Sequence, residues 1–256
     1  MAGTGSTGRL LLVPNALDHG HEPVPIRQVL PDGVLHEAAA LRHWVVEDAR
    51  SARAFLKRVD AEVPLAVALQ SIQVLELPRR RKGGGSGEPA PDWPALLAPA
   101  LSGHDLGLLS EAGMPAVADP GAALVAAAHA AGLVVQPLVG PSALLMALAA
   151  SGLHGQSFAF VGYLPQDAEA RARRLRELEA LSRQLGQTQL FIETPYRNDA
   201  LLASALAALQ ASTRLSVSCG LTLPDAWTRC ATVAQWRAKA MAPIGRVPAV
   251  FAVLAA

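Results

Sequence analysis

The sequence predicts an α/β fold, built as two α/β domains with mixed, largely parallel sheets. Three observations carry this expectation. The chain of 256 residues is 51% hydrophobic but only 4% aromatic, an aliphatic, alanine-rich composition that suits helices packed on buried strands. Short apolar runs alternate with helical stretches along most of its length, the pattern of strand–helix units. Leu106 to Leu109 runs into the small-residue segment Ser110-Glu111-Ala112-Gly113-Met114-Pro115, and Asp119-Pro120-Gly121 follows. That order is a buried strand, a tight loop and a helix start.

The elements follow from local pattern. Leu10 to Val13 is a first strand, ended by Pro14-Asn15. Asp18 to Pro25 is loop-like, Val34 to Leu41 helical, and Trp44 to Val46 a short strand. Ala49 to Val59 reads as an amphipathic helix with Arg50, Arg53 and Lys57 on its outer face. Arg79 to Pro99 is basic, then glycine-rich, then proline-rich, which predicts a flexible excursion within the first domain. Asp119 is placed as an N-cap with Pro120 at the first helical position, heading a helix from Gly121 to Ala131 that Gly132 ends. Leu133 to Val139 is a strand, and Ser142 caps the helix Ala143 to Ala150. In the second half, Phe158 to Val161, Leu190 to Ile192, Leu215 to Val217, Thr228 to Val233 and Ala249 to Leu254 read as strands. Arg171 to Gln184 and Asp199 to Leu209 read as helices. The domains are expected at residues 1–141 and 142–256.

Composition bounds the function. The formal net charge is +1, so no global field draws in a polyanion, and RNA would need a local basic patch. Cys219 and Cys230 form no metal-binding or redox spacing, and His19 and His21 sit in a loop-like stretch with no cysteine near them in sequence. The expectation is therefore no metal and a reducing, cytoplasmic setting. No apolar run reaches the length of a membrane span. The Gly83–Gly87 run follows basic residues and precedes prolines, which is not how a dinucleotide-binding glycine motif opens a helix.

A loop as small as 110–121 lets backbone groups touch a ligand directly, beyond the strand ends where open α/β sheets bind ligands. Val139-Gly140-Pro141-Ser142-Ala143 puts a serine and free N–H groups at a helix start, which favours polar or anionic groups. Phe191-Ile192-Glu193-Thr194-Pro195-Tyr196-Arg197 flanks a strand end with an acid and a base, readable equally as an ion pair or as a ligand contact.

These segments resemble the tetrapyrrole methylase family, the class III S-adenosylmethionine (SAM) methyltransferases, and in particular its ribosomal-RNA ribose methyltransferase branch. That branch has Ser-Asp-Ala-Gly-x-Pro followed by Asp-Pro-Gly where this chain has 110–115 and 119–121. Glu47-Asp48-Ala49-Arg50, Gly162-Tyr163-Leu164-Pro165 and Glu193-Thr194-Pro195-Tyr196-Arg197 are similar to further motifs of the branch. Val13-Pro14-Asn15-Ala16-Leu17 departs from the family's first turn. Met114 stands where many members have Asp, and Cys219-Gly220 replaces an Arg-Glu pair before Leu221-Thr222.

The resemblance implies SAM as cofactor, held in an inter-domain cleft. It assigns Pro14, Ser110, Ala112, Gly113, Met114, Pro115, Val117, Ser142, Ala143, Glu193, Thr194, Cys219 and Gly220 to the cofactor. It implies methyl transfer to RNA ribose or a related nucleophile, and a homodimer. A tetrapyrrole or corrinoid precursor as acceptor, and a SAM-binding protein without catalysis, are the alternatives. No catalytic residue is assigned, and Glu193 and Asp48 are the carboxylates to test.

Overall fold

The computed structural model describes residues 6–18, 24–78, 91–239 and 242–256. Arg79–Lys82, the Gly83–Gly87 run, His19 and His21 lie outside the described residues. The chain divides into two compact units, Met1–Pro141 and Ser142–Ala256.

The first unit carries β1 (Arg9–Val13), α1 (Asp32–Ala40), β2 (His43–Val46), α2 (Ala49–Asp60), β3 (Gln73–Glu76), α3 (Trp93–Leu101), β4 (Leu106–Leu109), α4 (Ala122–Ala130) and β5 (Val134–Pro137). Its strands pair in the order β3-β2-β4-β1-β5, every pairing parallel. Helices cover both faces because the strands are apolar on both sides. Leu11, Val13, Trp44 and Val46 pack with Leu35, Phe55 and Leu56 of α1 and α2. Leu10, Val45, Leu106 and Leu108 pack on the opposite face with Leu97 of α3 and Leu124 of α4.

The connection after β2 leads to β3, on one side, and the connection after β4 leads to β5, on the other. β2 and β4 are neighbours, so the loops at their carboxyl ends diverge. Such a topological switch point opens a crevice in a parallel sheet.

The second unit carries α5 (Ala143–Ser151), β6 (Phe158–Tyr163), α6 (Ala168–Leu185), β7 (Thr188–Ile192), α7 (Asn198–Ala208), β8 (Arg214–Cys219), β9 (Trp227–Thr232), α8 (Val233–Ala238) and β10 (Ala249–Leu254). Its sheet runs β6-β7-β10-β8-β9. Only β6 and β7, joined through α6, are parallel. β10 inserts antiparallel between β7 and β8, and β9 returns antiparallel on β8. Stacked Phe191 and Phe251, 5.8 Å between ring centroids, fill the core on the α6–α8 side.

Three local expectations differ from the structure, and a fourth, Ser142 as the N-cap of α5, holds in position only. The stretch after Pro91 is not an excursion: Trp93–Leu101 is helical. Asp92 accepts the Ala95 N–H at 3.0 Å, Pro94 sits in the first turn where it costs no hydrogen bond, and Leu97 and Ala100 bury their side chains. Asp119 does not cap α4. Gly121 takes that position with φ 130°. Ser142 occupies the N-cap position of α5, but its hydroxyl makes no capping bond. The last strand before residue 233 ends at Thr232, because Thr232 and Gln235 form a reciprocal capping box that starts α8 there. The largely exposed edge strand β3 has too weak an apolar pattern to stand out in sequence.

Candidate active site

The loop from Ser110 to Gly121 leaves the end of β4 and turns sharply. Gly113, Ala116 and Ala118 each have φ 66°. The two alanines sit in a region that costs an L-residue roughly 1–2 kcal/mol, a local strain of the kind that collects at ligand sites. Gly113 is held by a two-way backbone pair with Asn15: Asn15 N–H to Gly113 O at 2.9 Å, and Gly113 N–H to Asn15 O at 3.1 Å.

Asn15 is 6% exposed. Its Nδ2 donates to the carbonyls of Ser110 at 3.3 Å and Glu111 at 2.9 Å, and its Oδ1 accepts the Ala16 N–H at 2.8 Å. One buried amide thus ties the end of β1 to the loop after β4. A Cβ on Gly113 would lie 3.2 Å from Leu17 Cδ2 and 3.6 Å from Pro141 O. A Cβ on Gly140 would overlap Pro14 at 2.3 Å. Pro14, Asn15, Gly113 and Gly140 therefore come together in the first unit.

The loop side chains are small or turned in: Ala112 and Pro115 are buried, Met114 is half-buried, and Val117 is exposed. The Ser110 hydroxyl is buried and has no partner among the described residues. A backbone cradle with little side-chain bulk and one buried free hydroxyl fits a cofactor held mainly through main-chain groups, as SAM would be.

Beside this loop, at the switch point, lies a cleft of about 980 Å³. Glu47 and Asp48 line it from the end of β2, and Glu111 and Asp119 from the loop after β4. Leu77, Pro78, Pro91 and Trp93 form its apolar walls. Glu47 accepts the Glu111 N–H through Oε2 at 3.1 Å. Asp48 caps α2 by accepting Ser51 N–H at 2.8 Å. Burial, with the charges of Glu47 and Glu111 added, pushes the Asp119 carboxyl up to about 7. Among the described residues, no group of three His, Cys, Asp or Glu could hold a metal ion.

The remaining predicted positions lie on the second unit. Ser142 and Ala143 are half-buried at the start of α5. At the end of β7, the Glu193 side chain is fully buried. Its Oε1 accepts Thr194 N–H at 2.7 Å, Thr194 Oγ at 3.2 Å and Arg197 Nη2 at 2.6 Å. Glu193 Oε2, Arg197 Nε and Asn198 Oδ1 are buried without a partner among the described residues.

Cys219 and Gly220 end β8. Burial, then the charge of Asp199, raises the Cys219 thiol to about 12, which removes it as a nucleophile at neutral pH. Gly220 has φ 59° and donates its N–H to Pro248 O at 2.9 Å. Sequence reading missed the roles of Asn15, Trp93 and Asp119. Only the position of Asn15, in the turn that ends an apolar strand at Val13, offered a signal.

Comparison with known proteins places this arrangement. A family model described as "Tetrapyrrole (Corrin/Porphyrin) Methylases" matches residues 45–235. The "Ribosomal RNA small subunit methyltransferase I" of Vibrio cholerae is 44% identical over 102 residues, 40% of this chain and 34% of that protein. The protein of the same name from Streptococcus pyogenes is 34% identical over 188 residues, 72% of this chain and 58% of that protein. The chain thus spans between about a third and three-fifths of the length of these relatives. Among solved structures, "the methyltransferase CobJ" aligns with TM-score 0.57 at 18% identity, covering 98% of this chain and 95% of that one. "The conserved hypothetical protein APE0931 from Aeropyrum pernix K1" aligns with TM-score 0.57 at 17% identity, over 98% and 85%. At such identities these two speak for the fold alone. With three quarters of its length inside the family model, the chain belongs to the tetrapyrrole (corrin/porphyrin) methylase family.

Proposed function

We propose that this protein is a SAM-dependent methyltransferase that methylates RNA. The observation that carries the reading is the strained, side-chain-poor loop 110–121, pinned by Asn15 and opening beside a cleft at the sheet's switch point. Bound SAM supplies an already activated methyl group on a sulfonium, so the protein's share is alignment and water exclusion. The main chain around Gly113 and Pro115 holds the cofactor, Pro14 and Leu17 back that cradle, and the adjacent cleft receives the acceptor.

RNA as acceptor is supported by the names of the relatives and by α2. Arg50, Arg53 and Lys57 are exposed on one face of that helix, lining a shallow groove of about 520 Å³, and none forms an ion pair among the described residues. Three such cations can follow a phosphate backbone even though net charge is near zero. No helix among the described residues is long and apolar enough to cross a membrane.

The experiment is transfer of labelled methyl from SAM to small-subunit ribosomal RNA, run beside a tetrapyrrole precursor. Label is expected in RNA, in a dinucleotide that resists alkaline cleavage because its 2′-oxygen is blocked. Label in the tetrapyrrole alone, or in neither, overturns the proposal. Changing Arg50, Arg53 and Lys57 together to glutamine is expected to flatten the salt dependence of RNA binding by about 2 in log–log slope, at roughly 0.7 per lost contact with a single strand.

A further inference from the structure

Methylation of a hydroxyl releases a proton, and the cleft at the carboxyl ends of β2 and β4 holds a group suited to receive it. Asp119 lines that cleft on the same loop as Gly113, with Glu47 facing it from the end of β2 and Glu111 from the end of β4. Asp48 completes the acidic wall from the N-cap of α2, and Trp93 supplies an apolar wall from α3. No Lys, Arg or His among the described residues lines the cleft.

The other carboxylates are committed elsewhere: Glu47 holds the Glu111 N–H, and Asp48 caps α2. Glu111 is exposed, with its Oε1 3.3 Å from the Ser51 hydroxyl. Asp119 is half-buried and accepts no hydrogen bond from the described residues.

We propose that Asp119 is the catalytic base that accepts the proton of a hydroxyl acceptor bound in this cleft. The inference rests on the methyltransferase reading and deepens it. The acceptor O–H bond breaks and its proton passes to an Asp119 oxygen. The electron pair left on the acceptor oxygen forms the new O–CH₃ bond. The methyl–sulfur bond breaks with its pair kept by sulfur, which becomes a neutral thioether. A carboxylate of ordinary basicity would be a poor acceptor at neutral pH. Burial and the neighbouring charges of Glu47 and Glu111 lift Asp119 to about 7, where a base is matched to its working pH.

Only ionised Asp119 can take the proton, so the rate rises with pH up to the region of 7 and is level above it. Removing one like charge with Glu47→Gln makes Asp119 easier to ionise, and moves the inflection to lower pH. The amide in that variant still accepts the Glu111 N–H.

The test is single-turnover methyl transfer to small-subunit ribosomal RNA between about pH 5.5 and 9. It is paired with carbon-13 NMR titration of the Asp119 carboxyl in the ligand-free protein and with S-adenosylhomocysteine binding. The expected results are an inflection near 7 in both the rate and the NMR titration, both lowered in Glu47→Gln. Asp119→Asn is expected to lose on the order of a hundredfold in rate or more while keeping S-adenosylhomocysteine affinity. Wild-type rates in Asp119→Asn, or an inflection unmoved in Glu47→Gln, overturn the assignment and leave the methyltransferase reading standing. A wild-type protein that fails to bind S-adenosylhomocysteine overturns that reading, and the base assignment with it.

Discussion

Replacing Asn15 by alanine is expected to destabilise the first unit by about 3 kcal/mol and to disorder the loop that follows β4. Asn15 satisfies the carbonyls of Ser110 and Glu111 and the N–H of Ala16, in a position where the side chain is 6% exposed. Each buried group left without a partner costs roughly 1–3 kcal/mol, and the loop must still hold Ala116 and Ala118 at positive φ. Urea denaturation measures the loss, and S-adenosylhomocysteine affinity is expected to fall in parallel. A loss under about 1 kcal/mol, with affinity intact, would mean the backbone pair between Asn15 and Gly113 holds the loop unaided.

Arg197→Met is the second large effect, expected at about 3–5 kcal/mol, the usual result of stranding one partner of a buried pair. Glu193 is wholly enclosed and one oxygen already lacks a partner. Removing the guanidinium that lies 2.6 Å from Oε1 leaves a buried carboxylate held only by Thr194. Glu193→Gln removes the charge along with the pair and is expected to cost less. In the double variant Glu193→Gln/Arg197→Met, the loss should fall well short of the sum of the single losses. Additive losses in denaturation would contradict the ion pair as the source of the effect.

Much of the fold was legible because it rests on local chemistry. The central strands β1, β2 and β4 are short unbroken apolar runs, and α2 shows its basic outer face in Arg50, Arg53 and Lys57. What stayed hidden depends on partners distant in sequence. The prolines of 91–99 argue for loop until Leu97 and Ala100 find a core to bury against. Asp119-Pro120 is a good local helix start, but the turns at Ala116 and Ala118 carry the chain past it, and Gly121 begins α4. The antiparallel insertion of β10 between β7 and β8 is a matter of chain direction, which no local pattern encodes.

The site divides in the same way. Gly113, Pro115 and the small residues around them mark the loop in sequence, because a backbone cradle needs residues without bulk. The cleft was not legible, since its walls come from segments far apart: Glu47 and Glu111 are separated by 64 positions. Glu193, a carboxylate singled out in sequence, is sealed in an ion pair, while Asp119 has the exposure, the cleft and the basicity.

The most direct measurement is calorimetric titration of the protein with S-adenosylhomocysteine, beside Gly113→Val. A Cβ at Gly113 meets Leu17 and the Pro141 carbonyl, and φ 66° is unfavourable for a branched residue. Binding with about micromolar affinity is expected, and loss of that binding in a variant whose circular dichroism stays native. A folded wild-type protein that binds no S-adenosylhomocysteine, or a folded Gly113→Val that binds as tightly, would contradict the cofactor cradle.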